Sequence, residues 1–178
     1  LFTMGGLLSP TKGQVLVRGR DIYKLSRNER AKFIRNNVGF IFQSFELLPY
    51  LTALENVALS LYLSEAPPSK HHTMAKEALE RVGLFGRALH KPSQLSGGEQ
   101  QRVAVARAII KKPPILLADE PTGNLDQKTG EEIVQLLLDL THKEGLTTIL
   151  VTHDVAKAKM ADRRLLMVDG KLRGGENR

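Results

Sequence analysis

The sequence predicts an α/β domain in which a parallel sheet carries helices on both faces and a helical insert interrupts the alternation. Three observations lead there. From about residue 98 onward, short apolar runs of strand type alternate with amphipathic helical stretches across short connections, the pattern of a parallel sheet covered by helices. Residues 46–91 hold no convincing strand and read as an inserted helical subdomain. With 178 residues, 42% hydrophobic and 25% charged, the chain has the balance of one globular domain with a sizeable core.

The elements follow in order. The opening Leu1 to Leu8 is apolar with Gly5-Gly6 near its end, and reads as the tail of a helix. Gln14 to Val17 is a β-rich run closed by Arg18-Gly19, so a strand and turn are expected, continuing toward Asp21-Ile22. Ser26 with Glu29 forms a capping box that opens a helix to about Arg35, and Val38 to Phe42 is a short strand. A loop, Gln43 to Tyr50, comes next. Thr52 with Glu55 is a second capping box, starting a helix to about Leu63 that Pro67-Pro68 ends. Thr73 to Val82 is helical and Gly83 stops it, after which Lys91 to Leu95 is irregular. Then come a helix from Gly98 to Ile110, a buried strand from Ile115 to Ala118, and a helix from Thr129 to Lys143 stopped by Gly145. Thr147 to Val151 is a second buried strand and Asp154 to Ala161 a short helix. Arg164 to Val168 closes the series as a strand ending in an Asp169-Gly170 hairpin turn.

Composition removes several function classes. With no Cys, disulfide scaffolds, thiolate zinc sites and thiol catalysis are excluded. No run approaches 18 consecutive apolar residues, so no spanning helix is expected. The net charge of +7 is spread along the chain in small groups such as Arg18/Arg20, Lys111/Lys112 and Arg163/Arg164. Nucleic-acid binders gather such charge on one face, so solvated basic surfaces are the expectation here, without a nucleic-acid partner.

Two stretches carry chemistry. Ile115 to Ala118 delivers Asp119 and Glu120 at the C-terminal end of a buried strand, where open α/β sheets place ligands. An acid there can hold Mg²⁺ on a nucleotide and its neighbour can polarise a water, although two acids also suit a plain turn. Ser96-Gly97-Gly98-Glu99 directly precedes a helix. Ser96 with Glu99 is again a capping box, but the paired glycines also suit backbone N–H groups meeting a phosphate at a helix start.

Leu95 to Gln100 resembles the signature motif of ATP-binding cassette (ABC) ATPases, and LADEPTGNLD, Leu117 to Asp126, looks like their Walker B segment and D-loop. Gln43, just after its strand, resembles the Q-loop, and Val151-Thr152-His153-Asp154 the H-loop. The resemblance covers Leu1 to about Arg173 and implies the P-loop NTPase (RecA-like) fold with remnants of an antiparallel β subdomain, the whole chain (1–178) being a single partial cassette domain. The wording GFIFQSFELLP, TALENV and ADEPTGNLD is closest to cassettes of lipoprotein-releasing and macrolide-export transporters.

The same resemblance implies roles. Asp119 and Gln43 would serve Mg²⁺, Glu120 would be the general base, and His153 would hydrogen-bond the γ-phosphate, with Gln43 also sensing the partner. Ser96, Gly97, Gly98 and Glu99 would close on ATP held by an opposite copy, and Asp126 would link the two sites. A homodimer or paired cassette, a transmembrane permease partner and a peripheral place on the cytoplasmic face of the inner membrane follow. A soluble cassette acting on nucleic acid is the rival reading. Only 53 positions separate Gln43 from Ser96, with no room for the long coiled coil of chromosome-maintenance relatives. A degenerate, non-hydrolysing module is a third, against which Glu120 and His153 both stand.

One departure is large. The P-loop pattern G-x-x-x-x-G-K-[ST] is absent, since Gly170-Lys171 continues with Leu172 and lacks the upstream glycine. The expectation is therefore a cassette lacking its first strand and P-loop, inactive alone, with apolar sheet edges uncovered near Ile115 to Ala118 and Thr147 to Val151.

Overall fold

The computed structural model describes residues 1–177 apart from 63 and 65. A two-stranded antiparallel hairpin opens it, β1 (Leu16–Val17) with β2 (Arg20–Asp21), joined by Arg18 and Gly19 with φ of 50° and 76°. Two successive left-handed residues make the tight turn whose twist matches the strands. α1 (Arg27–Asn37) begins at Ser26, whose hydroxyl accepts from the Glu29 amide while the Glu29 carboxylate accepts from Ser26, the expected reciprocal cap.

Three parallel strands form the central sheet: β3 (Val38–Phe42), β4 (Ile115–Asp119) and β5 (Thr147–Val151), in the order β3-β4-β5. β4 is thus the middle strand, and Leu116, Leu117 and Ala118 are buried. The expected exposed edge near Ile115 to Ala118 does not exist, because β3 and β5 cover both sides of it. β5 is an edge strand, with Thr147 and Val151 exposed. A second antiparallel hairpin, β6 (Arg163–Val168) with β7 (Lys171–Asn177), turns through Asp169 and Gly170, both left-handed.

The region between β3 and β4 is helical, as expected. α2 (Ala53–Ala58) starts at the Thr52/Glu55 capping box and runs into a 3₁₀ turn at Leu59–Leu61; its expected end at Leu63 lies outside the described residues. α3 (His71–Arg81) follows a 3₁₀ turn at Pro68–Lys70, so it starts two residues earlier than the pattern suggested. α4 (Gly97–Ile109) packs on α2 and α3 along one side and on β3 along another. Insert and sheet consequently share one apolar core, running from Val57, Leu61 and Leu79 through Val105 and Ile109 to Leu116 and Ile133.

α5 (Gln127–Glu144) starts two residues earlier than expected because Asp126 is its cap, accepting from the Thr129 amide, and it ends at left-handed Gly145. α6 is a single turn, Val155–Ala158, capped by Asp154. Leu1 to Leu8 is not helical: it forms turns that Gly6, at φ 73°, brings to a close.

Caps of one chemistry hold the helix starts. Hydrogen bonds from Ser26, Thr52 and Ser96 hold Glu29, Glu55 and Glu99 below the usual carboxylate range, and the Thr129 contacts do the same for Asp126. A carboxylate depressed in the folded state contributes stability that is present above its unfolded pKa and lost as pH falls through the folded value. The thermal midpoint followed by circular dichroism should therefore be flat from neutrality down to about pH 5 and fall below about pH 4. Glu99→Gln should flatten part of that acid limb.

Candidate functional site

The parallel register sets Phe42, Asp119 and Val151 side by side at the C-terminal edge of the sheet. The residues that follow, Gln43, Glu120 and Thr152-His153, therefore leave the sheet at the same level. Glu120 takes a left-handed backbone, φ 45°, uncommon for a residue with a side chain, and its amide donates to the Val151 carbonyl at 2.9 Å. This turn aims its carboxylate at the next segment. Oε1 accepts from the His153 amide at 2.8 Å and lies 2.8 Å from His153 Nδ1. The His153 side chain is 84% exposed, against 24% for Glu120, and its second ring nitrogen has no partner among the described residues. A carboxylate steadied on one edge and an imidazole facing solvent with a free nitrogen suit water activation beside an anion.

Asp119, the last residue of β4, is half-buried, and its carboxylate makes no hydrogen bond among the described residues. Gln43 is held from the other side. Its Nε2 donates to Asn124 Oδ1 at 3.2 Å, while Asn124 Nδ2 donates to the Gln43 carbonyl at 3.1 Å. The Gln43 side chain lies across Gly123, where a methyl group would come within 2.6 Å of Nε2. Only glycine admits that approach. The amide oxygen of Gln43 stays available, so it and Asp119 offer hard oxygen ligands. Mg²⁺ is commonly held by one or two such protein groups plus phosphate oxygens. No group of three or more His, Asp or Glu residues able to hold a metal occurs among the described residues, so a dedicated all-protein metal cage is not what this site offers.

At the start of α4, Ser96 Oγ accepts from the Glu99 amide at 3.2 Å and Glu99 Oε2 accepts from the Ser96 amide at 2.8 Å. Glu99 is also paired with Arg87 at 3.0 Å. The amides of Gly97 and Gly98, in the first helical turn, have no intrahelical acceptor and carry the positive end of the helix dipole. The glycines answer a second demand that the sequence reading did not include. A methyl on Gly98 would sit 2.5 Å from Thr129 Cγ2, and one on Gly97 would lie 3.2 Å from Leu125 Cδ2. The space beside them is filled by the start of α5, whose cap is Asp126.

The structure thus brings Gln43, Asp119, Glu120 and His153 to one sheet edge, and Ser96 to Glu99 together with Asp126 to a neighbouring helix-start pair. No hydrogen bond among the described residues joins Ser96, Gly97 or Gly98 to Glu120 or His153. Asn124, Gln101 and Asn56 escaped the sequence reading. The Gly-Asn pair after Pro121 was the available signal for Asn124. Asn56 shows only as a polar residue on the apolar face of α2, where it is fully buried and ties down the backbone of Leu48, Leu51 and Thr52.

Comparison with known proteins gives the family. A family model described as ABC transporter matches residues 1–123. The chain belongs to the ABC transporter family. The "ABC transporter ATP-binding protein YtrE" of Bacillus subtilis (strain 168) is 44% identical over 172 residues, 97% of this chain and 74% of that one. The ATP-binding cassette MJ0796, solved as a dimer in a post-hydrolysis state bound to ADP and Pi, superimposes with a TM-score of 0.86 at 43% identity, covering 99% of this chain and 78% of its own. The cassette cbiO1 from Clostridium perfringens, part of the ABC transporter complex cbiONQ, gives a TM-score of 0.88 at 27% identity over 99% of this chain and 70% of its own. The fold is that of the P-loop NTPase cassettes, and the activity that goes with membership is ATP hydrolysis by an ATP-binding transporter subunit.

The close approach of α4 and α5 in this cassette can be tested directly. Gly98→Ala should destabilise by about 1–3 kcal/mol, as overpacking does, even though alanine is the better helix former. Thr129→Ser, which removes the opposing methyl, should recover most of the loss in a double-mutant cycle followed by urea denaturation.

Proposed function

We propose that this cassette powers export or lipoprotein release through a separate membrane-spanning partner, with two copies closing around ATP. The observation that carries the reading is the Glu120 carboxylate, steadied by His153 at the end of the middle strand and next to the unpaired Asp119. Glu120 is the general base that orients the hydrolytic water. His153 reaches the γ-phosphate through its free ring nitrogen, and Gln43 senses the partner through the loop that follows it. Asp119 and the Gln43 amide oxygen hold Mg²⁺, which supplies charge neutralisation on the phosphates. Ser96, Gly97 and Gly98 supply free amides and a hydroxyl to the ATP of the opposite copy, beside Glu99, and Asp126 connects the two sites.

Dimeric MJ0796, bound to ADP and Pi, supports the two-copy arrangement, and cbiO1, part of a transporter complex, supports a membrane partner. No helix among the described residues is long and apolar enough to cross a membrane, so the cassette sits peripherally, at the cytoplasmic face of the inner membrane in this reading. Export and lipoprotein release rest on the wording around Gln43, Thr52 and Asp119. The phosphate grip of a P-loop is not encoded in these 178 residues, so in this reading hydrolysis needs a P-loop supplied from outside them, and titration calorimetry of the 178 residues with MgATP should show no binding; a micromolar Kd would overturn that.

The partner surface lies on the loop after Gln43. Leu48 is 49% exposed and Tyr50 85%, while Leu47 packs on the core and Phe45 is half-buried against Gly97, so two of the four apolar residues there face outward. Buried Asn56 gives this loop a fixed shape. Leu48→Asp should abolish assembly with the membrane partner in a co-purification assay and spare basal hydrolysis; equal loss of both would make Leu48 a structural residue.

In a chain supplied with a P-loop ahead of Leu1, Glu120→Gln should lower kcat by roughly 10² to 10⁴, the range for losing a positioned base. ATP binding should persist, because the metal-holding oxygens are untouched, and an ATP-dependent dimer should accumulate on gel filtration. Ser96→Arg in the same background should prevent that dimer. A Glu120→Gln variant that hydrolyses normally, or stays monomeric with ATP bound, refutes these roles.

A further inference from the structure

We propose that Gln101 is a positioning residue for hydrolysis: its side-chain amide ties the backbone beside Gln43 and beside Glu120 to α4, so that both side chains move with the helix that begins at Gly97. The proposal rests on the ATPase reading above and adds a residue to it.

Gln101 lies one turn into α4 and is completely buried. A buried amide is costly unless its hydrogen bonds are made. Here one half is made: Nε2 donates to the Pro121 carbonyl at 2.7 Å and to the Phe42 carbonyl at 3.3 Å. The other half is not, since Oε1 is buried and has no partner among the described residues. Turning the amide over would set Oε1 against two carbonyl oxygens, so the two acceptors fix its orientation. An aliphatic side chain would suit a helix that buries Val103, Val105 and Ile109, and a fully satisfied polar group would suit stability. A half-satisfied amide suits neither, and the two carbonyls it does hold explain its presence.

Those atoms sit at the chemistry. Phe42 immediately precedes Gln43, and Pro121 immediately follows Glu120. The two carbonyls lie just where β3 and β4 stop pairing, Phe42 standing opposite Asp119 in the last rung. Past that rung the ladder no longer fixes the strand ends against each other, and Gln101 bridges them. Further along the same helix, Arg107, half-buried, donates to the Phe45 carbonyl at 2.7 Å and to that of Glu46, both residues being left-handed at φ 57° and 52°. α4 therefore grips the backbone on both sides of Gln43, and through Gln101 it grips Glu120 as well. Displacing α4 relative to the sheet displaces the proposed base and the proposed partner sensor together.

The test uses the chain supplied with a P-loop ahead of Leu1, in three forms: unaltered, Gln101→Met and Gln101→Glu. Methionine keeps the volume and removes both donors. A glutamic acid buried at this point stays protonated over a wide pH range and keeps one O–H donor. Gln101→Met should lower kcat by about 10- to 100-fold, the scale of a small misplacement of reacting groups, and leave KM for MgATP within about twofold. Gln101→Glu should recover part of kcat, with the recovery fading as pH rises and the donor is lost. In the ATP-free protein, amide hydrogen exchange should quicken in peptides spanning 42–46 and 119–124 together in Gln101→Met, and stay unchanged in α5.

Unchanged kcat in a folded Gln101→Met protein overturns the proposal, as does a rise in KM that accounts for the loss, or an activity that tracks only the folded fraction. Should the methionine variant fail to fold, a Gln101→Glu protein of full activity and no pH dependence overturns it equally. If the unaltered chain does not hydrolyse ATP, it is the proposed function that fails, and the exchange measurement alone decides on Gln101: coupled loosening of the two segments supports it, and loosening confined to α4 refutes it.

Discussion

The parallel pairing of β4 with β3 on one side and β5 on the other is the constraint from which the site follows. Three segments far apart in sequence are brought abreast by backbone hydrogen bonds, with Phe42, Asp119 and Val151 in one row. Leu116, Leu117 and Ala118 are consecutive and all buried, so both faces of β4 are covered, and a register slip would break the packing of side chains fitted to each face. The chemistry that sits one residue beyond the row inherits that accuracy. Glu120 needs no long loop to find His153; a single left-handed residue and one hydrogen bond from its amide to the Val151 carbonyl suffice.

Just past the row the sheet stops supplying partners, and the chain meets a different problem. Buried carbonyls at diverging strand ends must be satisfied by something other than a strand. Side-chain amides do that work here: Gln101 spans β3 and β4, Asn124 closes on Gln43, and Asn56 organises the loop that leads to Leu48. All three are carboxamides, which donate and accept without a charge to desolvate. Their use explains how a loop with left-handed Phe45 and Glu46 can be held in one shape.

The division between what the sequence disclosed and what it withheld follows from the range of the interactions. Strand β5 and the caps at Ser26, Thr52 and Ser96 were legible residue for residue, because apolar runs and capping boxes are local signals spanning a few positions. The candidates Asp119, Glu120 and His153 stand together at one sheet edge, as their places at strand ends led one to expect, while the roles proposed for them come from the family wording around them. Asp126 was assigned to the link between sites, and its capping of α5, which lengthens the helix by two residues, was missed because no Glu follows at the third position to complete the reciprocal pattern. The exposed edge was expected partly on β4, which is the middle strand; pairing between positions 77 apart, as Val38 with Ile115, leaves no local trace. Leu1 to Leu8 is apolar enough to look helical, but Gly5 must stay small to let Phe40 pass and Gly6 turns the chain, and both are tertiary demands.

The meeting of α4 and α5 links the two halves of the site within one chain. Thr129 stands at the junction. Its amide is held by Asp126, and its methyl group fills the space that Gly98 leaves by lacking a side chain. Neither contact is compressible: the cap is a charge-assisted bond of 3.0 Å, and the methyl lies where any added atom would clash. The start of α4 therefore cannot move closer to α5 without pressing Gly98 on the Thr129 methyl, whose position the Asp126 cap holds. Farther along α4, Gln101 and Arg107 hold the strand ends that carry Gln43 and Glu120. The 13 residues of α4 thus meet the start of α5 at their first turn and the backbone beside Gln43 and Glu120 farther on. The glycines that the sequence presents as an anion-binding device are, in the folded chain, equally the point at which the helix bearing that device is locked to the rest of the cassette.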